Sequence, residues 1–139
     1  MQCQVGLSKH DNSIISDLIA LKLGKKYSHV FMLFDIMGKQ VVLHATHKGV
    51  NAISLSKFQS ENTIIKLIDI KDQDKIQKAF SYCIDMLGTP YGYLDIIAIT
   101  LGLKYKDGEK TLICSEYVAK ALGLSDDDGI TPSDVEGKL

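Results

Sequence analysis

The hydrophobic pattern changes period several times along the 139 residues. Residues 3–9, CQVGLSK, read as a short first strand. Asn12 or Ser13 can cap a helix behind it, because a side-chain oxygen there accepts from the free N–H groups of a first turn. Ile14, Ile15, Leu18, Ile19 and Leu21 then mark one apolar stripe, and Gly24 is its natural stop. The β-branched and aromatic run SHVFMLFDI at 28–36 predicts a strand. Gly38 and Lys39 signal a turn, so QVVLHATHKGV at 40–50 is expected to return as its hairpin partner. NTIIKLIDI at 62–70 is a third strand of this kind.

Helical spacing takes over after Asp72 and Asp74, either of which can start the helix. Ile76, Phe80, Cys83, Ile84 and Leu87 share one predicted face, and Gly88 ends it. TPYGYLDIIAITLGL at 89–103 opens with turn chemistry and continues as an apolar helix. After the turn DGEK, the run TLI leads into Cys114, and residues 116–122 are helical in pattern. The tail SDDDGITPSDVEGKL reads as polar. Without an internal repeat or a linker, residues 1–139 are expected to form a single domain. The order of elements predicts an α+β fold, a small antiparallel sheet packed against helices.

A net charge of −1 without a basic block argues against nucleic acid as a partner. Cys3, Cys83 and Cys114 are odd in number, far apart and without a CxxC, so neither a disulfide framework nor a zinc knuckle is expected. The first residues lack a basic region, and Asp17 and Lys22 interrupt the first apolar run, unlike a secretory signal. No run reaches transmembrane length. The chain as written is therefore expected to be cytoplasmic; a short, one-domain chain is compatible with a bacterium or a phage and the sequence does not say which.

Cys114 stands where a strand-like run becomes a helix. Such a position fits either a small apolar core residue or a nucleophile, since a helix N-terminus stabilises a thiolate and its N–H groups can hold an oxyanion. A thiol nucleophile needs a base, and the base needs an orienting partner. His10 lies in a polar loop and suits a solvated role. His29 opens the 28–36 strand, and His44 interrupts an apolar strand, where an imidazole requires a partner. In a hairpin the two can meet on one face near one sheet end, one ring holding the other's tautomer. His44 and His47 form HxxH, but strand positions three apart point to opposite faces and no third ligand stands at familiar spacing, so no metal site is expected. Asp126, Asp127, Asp128 and Gly129 lack the alternation of a calcium loop and suit a solvated turn.

With these residues assembled, the chain resembles a circularly permuted papain-like cysteine hydrolase, from the permuted branch of the NlpC-type superfamily that includes relatives of lecithin:retinol acyltransferase. YSHVFMLF resembles the strand with the catalytic histidine, VVLHATHKGV the strand with the third polar residue, ICSEYVAKAL the nucleophile at its helix start, and ITPSDV a C-terminal motif. LGTPYGY at 87–93 is similar to the segment before the nucleophile in unpermuted murein endopeptidases, where the tyrosine after the proline lies beside the active site. That position is Tyr91, with Tyr93 its substitute. The order His29, His44, Cys114 is that of the permuted branch.

The resemblance implies a permuted papain-like fold and acyl transfer through a thioester, without a cofactor. It implies Cys114 as nucleophile, His29 as base, His44 as the orienting residue, and Tyr91 or Tyr93 beside the substrate or oxyanion. The expected substrate is a small peptide or acyl compound, first of all an amide such as a murein peptide bond. Two alternatives accompany it. One is a lipid or ester acyl hydrolase or acyltransferase, favoured by the apolar 93–103 run; the other is a binding protein that keeps the scaffold without catalysis.

Overall fold

The computed structural model describes residues 1–11, 20–21, 24–46, 48–90, 113–124 and 130–139. Their elements are β1 (Gln2–His10), β2 (His29–Ile36), β3 (Lys39–Thr46), β4 (Gly49–Ser54), α1 (Leu55–Gln59), β5 (Asn62–Ile70), α2 (Gln73–Asp85), α3 (Cys114–Ala121) and α4 (Pro132–Gly137). The strands form one five-stranded antiparallel sheet in the order β4-β3-β2-β1-β5. This is the expected α+β class. Of the helix expected before Gly24, Ala20 and Leu21 are described and helical; the rest of it, and the helix expected from 91 onwards, lie outside the described residues.

The 28–36 and 40–50 runs do pair as a hairpin, but the second is two strands rather than one. The chain reverses between Thr46 and Gly49, which face each other across β3 and β4. Gly49 takes φ 94°, a left-handed conformation that a side chain resists. The Lys48 N–H donates to Thr46 Oγ1 at 3.2 Å and closes the turn. The reversal sets His44 opposite Asn51.

Alternation along β2 divides the sheet into two packed faces. Val30, Met32 and Phe34 join Cys3, Val5, Leu7, Leu43 and Ala45 in the larger core, under α2 and α3. Phe31, Leu33 and Val42 point the other way and pack on Phe58 of α1. Gly6 lies directly across from Phe31, and a Cβ there would clash with the ring at Phe31 Cζ.

Asp72 caps α2 by accepting from the Asp74 and Lys75 N–H groups at 3.0 and 3.2 Å. Its buried stripe is Ile76, Ala79 and Cys83, with Phe80 beside it. Ile84 and Leu87, expected on that face, are about two-fifths exposed; Ile84 comes one position after the buried Cys83 and so turns away from it. The tail is also less polar than its composition suggests. Thr131 and Asp134 form a reciprocal capping box, Pro132 takes a first-turn position, and Ile130, Pro132 and Val135 are buried. The Ser115 hydroxyl donates to the Ile130 carbonyl and joins this segment to α3.

Candidate active site

β2 and β3 stop pairing at Met32 and Leu43. Beyond that pair β2 continues against β1, where His29 faces Ser8, and β3 continues against β4, where His44 faces Asn51. His29 Nε2 lies 3.1 Å from His44 Nδ1. The rings meet edge to face, with centroids 5.3 Å apart and planes at 71°. Both contact Phe58, His29 at 6.3 Å and His44 at 5.5 Å between centroids, so the pair sits on the Phe31–Phe58 face of the sheet.

His44 Nε2 has its own partner, Asn51 Oδ1, at 3.1 Å. The Asn51 amide nitrogen donates to Thr46 Oγ1 at 3.1 Å and to the Gly49 carbonyl at 3.0 Å. Sequence reasoning missed Asn51. Its signal was the turn at Lys48–Gly49, which implies a strand running on past residue 50 and so a partner for His44.

Burial lowers the pKa of both histidines. His29 is held well below the usual imidazole value by loss of solvent, then by His44 and His10 nearby. His44 is lowered to about 4 by burial, against which the hydrogen bond with Asn51 acts. Both rings are therefore neutral near pH 7.

Cys114 opens α3 on the other face, within the larger core, and is almost fully buried. The backbone N–H groups of Val30, Ser115 and Cys114 itself face its sulfur and favour the thiolate. Val30 follows His29, so the thiol reaches the same strand end from below. The bonds described for the sulfur are to backbone; the thiol and the His29 ring are not hydrogen-bonded to each other. Burial pushes the thiol up to about 11, the three N–H groups pull it down, and the Glu116 carboxylate adds to the rise. The helix start thus does not produce a resting thiolate, because desolvation outweighs it.

His10 ends β1 and is exposed, its Nδ1 2.8 Å from the Asp11 carbonyl. The stretch before Tyr91 is tied to the edge of β4: the Val50 N–H donates to the Thr89 carbonyl at 2.9 Å and the Gly88 N–H to the Val50 carbonyl at 2.8 Å. Tyr91 and Tyr93 themselves, with His47 and the Asp126–Gly129 turn, lie outside the described residues.

The sequence matches the family model Peptidase_C92, described as permuted papain-like amidase enzymes, YaeF/YiiX, over residues 7–128. The chain belongs to this C92 family. The family's description is of papain-like amidases with a permuted chain order. A crystal structure of metalloprotein yiiX from Escherichia coli O157:H7 shares the C92 fold seen here, with a TM-score of 0.63 and 20% identity. The match covers 87% of this chain and 63% of that one, so the present chain spans under two thirds of its neighbour's length. No curated protein matches.

The neighbour is described as a metalloprotein. Among the described residues of this C92 chain, no three His, Cys, Asp or Glu side chains converge as a ligand set. The facing atoms of His29, His44 and Asn51 are already engaged with one another. These residues do not fit a metal centre. Among the described residues no helix is long and apolar enough to cross a membrane.

Proposed function

We propose that the protein is a cysteine hydrolase that cleaves an amide bond through a thioester, with Cys114 as nucleophile, His29 as base and His44 as the residue that orients His29. The observation that carries this reading is the His29–His44 hydrogen bond at the start of β2, where the next N–H along the strand faces the Cys114 sulfur.

The raised thiol and lowered imidazole describe a neutral resting pair. The thiol proton therefore passes to His29 as sulfur attacks the carbonyl carbon, rather than in an earlier step. The new C–S bond makes a tetrahedral oxyanion, held by the Cys114 N–H with Tyr91, or Tyr93 in its place, as second donor. The N–H groups of Val30 and Ser115 stabilise the sulfur while it carries charge. Collapse breaks the C–N bond, and His29 returns its proton to the leaving amine. Water then attacks the thioester, giving one proton to His29, and the thiol is regenerated as the acid leaves. No cofactor enters. The substrate class is a small peptide amide, with the murein peptide bond as the first candidate.

The test combines a cysteine-directed acyl probe with a panel of model amides, murein fragments and acyl esters. Acylation of Cys114, its loss in His29→Ala and turnover of amides are expected. Modification of Cys3 or Cys83 ahead of Cys114 overturns the site. Turnover of long-chain esters alone replaces the amidase by an acyl hydrolase or acyltransferase. Equal labelling of Cys114 with and without His29 leaves a binding protein on a hydrolase scaffold.

A further inference from the structure

The hydrogen bonds around Asn51 run in one direction, and that direction determines where the protons sit. The Gly49 carbonyl can only accept, so the Asn51 atom 3.0 Å from it is the amide nitrogen. The same nitrogen reaches Thr46 Oγ1 at 3.1 Å. The amide oxygen is thereby turned towards His44 Nε2, and an amide oxygen also only accepts. His44 Nε2 must carry a proton. A neutral His44 then has a bare Nδ1, and the 3.1 Å contact to His29 requires His29 Nε2 to donate. A neutral His29 protonated on Nε2 has its lone pair on Nδ1.

We propose that Asn51 is a positioning residue that acts through two imidazoles: it holds both His44 and His29 in the Nε2–H tautomer and so keeps His29 Nδ1 free as the proton acceptor. The inference rests on the proposed role of His29 as base. The opposite amide orientation would reverse every link. His44 would then carry its proton on Nδ1, His29 would accept at Nε2 and hold its proton on Nδ1, and that atom could not take one from a thiol. The turn that fixes Asn51 is thus part of the device. Gly49 supplies a carbonyl acceptor and Thr46 a hydroxyl acceptor, and the two residues are themselves joined by a 3.4 Å hydrogen bond from Thr46 Oγ1 to the Gly49 carbonyl. When His29 takes a proton on Nδ1, its Nε2–H still donates to His44, so the network does not rearrange during the transfer.

The experiment is long-range proton–nitrogen correlation NMR on histidine-labelled full chain near pH 7, which distinguishes pyrrole-like from pyridine-like ring nitrogens. Both His29 and His44 are expected to show a protonated Nε2 and a bare Nδ1. A protonated Nδ1 on either ring in the unsubstituted protein overturns the proposal without any variant. In Asn51→Leu the His29 signals are expected to move towards a tautomer mixture, and kcat for Cys114-dependent turnover to fall at least about tenfold with little change in KM. Asn51→Asp keeps the acceptor and is expected to restore both tautomers. An unchanged His29 tautomer in folded Asn51→Leu overturns the lock. A tautomer shift with unaltered turnover leaves the lock standing and removes His29 as base.

Discussion

Tyr27 donates its hydroxyl to Glu136 Oε1 at 2.6 Å, tying the residue two before His29 to the last helix of the chain. Lys66 of β5 holds the other carboxylate oxygen at 3.2 Å. Burial, then the carboxylate, push the Tyr27 phenol up to about 12, while the phenol and Lys66 hold Glu136 below the usual carboxylate range. The start of β2 is therefore anchored by the C-terminal ITPSDV segment, whose capping box builds the helix that carries Glu136. Tyr27→Phe keeps the ring and loses the bond, and is expected to cost about 1–2 kcal/mol. A double-mutant cycle with Glu136→Gln, read from urea midpoints at constant slope, is expected to show coupling near 1 kcal/mol; strict additivity would show that the contact contributes nothing to stability.

Gly6 is required by Phe31 rather than by its own backbone. The Phe31 ring covers it and packs on Phe58 at 4.4 Å between centroids, and Phe58 in turn touches both histidines. Gly6→Ala is expected to displace the ring and destabilise the protein by roughly 1–3 kcal/mol through overpacking. A denaturant midpoint equal to that of the unsubstituted protein would disprove this. Phe31→Leu in the same chain should recover part of the loss, because it empties the space the methyl needs.

Stability should fall on both sides of neutrality, for groups of opposite sign. His44 folds with a pKa of about 4 against an ordinary 6.5, so the unfolded chain binds more protons between those values. Its contribution, on the order of 3 kcal/mol, is present above about pH 6.5 and is lost as pH falls towards 4. His29 is lowered further and extends the loss in the same direction. Cys114 at about 11, and Cys3 and Cys83 at about 12, are raised from 9.0 by burial. Their contribution is complete below about pH 9 and is lost as pH climbs to 11–12. Urea midpoints from pH 4 to pH 10 test both limbs. A flat profile between pH 7 and pH 4.5 would mean that the histidines are not buried as neutral rings.

Much of this site was legible locally. The β-branched run through 28–36 and the turn at 38–39 predict a hairpin, and the hairpin brings His29 and His44 together. The pattern change at 113–116 marks the start of α3 at Cys114. Where the reading went astray, the deciding interaction lay across the sheet or at a helix cap. The tail looked polar because Thr131 and Asp134 are polar, yet they cap a helix that buries Val135. Ile84 looked like a core residue because it is apolar, yet it is about two-fifths exposed on α2.

The sequence by itself determined the class of the molecule and the candidate residues of its site, because period, turn residues and chain order act over a few positions at a time. Tertiary structure alone decided three things. It set His44 against Asn51, since strand register is a relation between distant backbones. It put the thiol and the two imidazoles on opposite faces of the sheet. It left Cys114 a protonated thiol, because the energy of a charge depends on how much water the whole fold removes from it, and no local pattern encodes that.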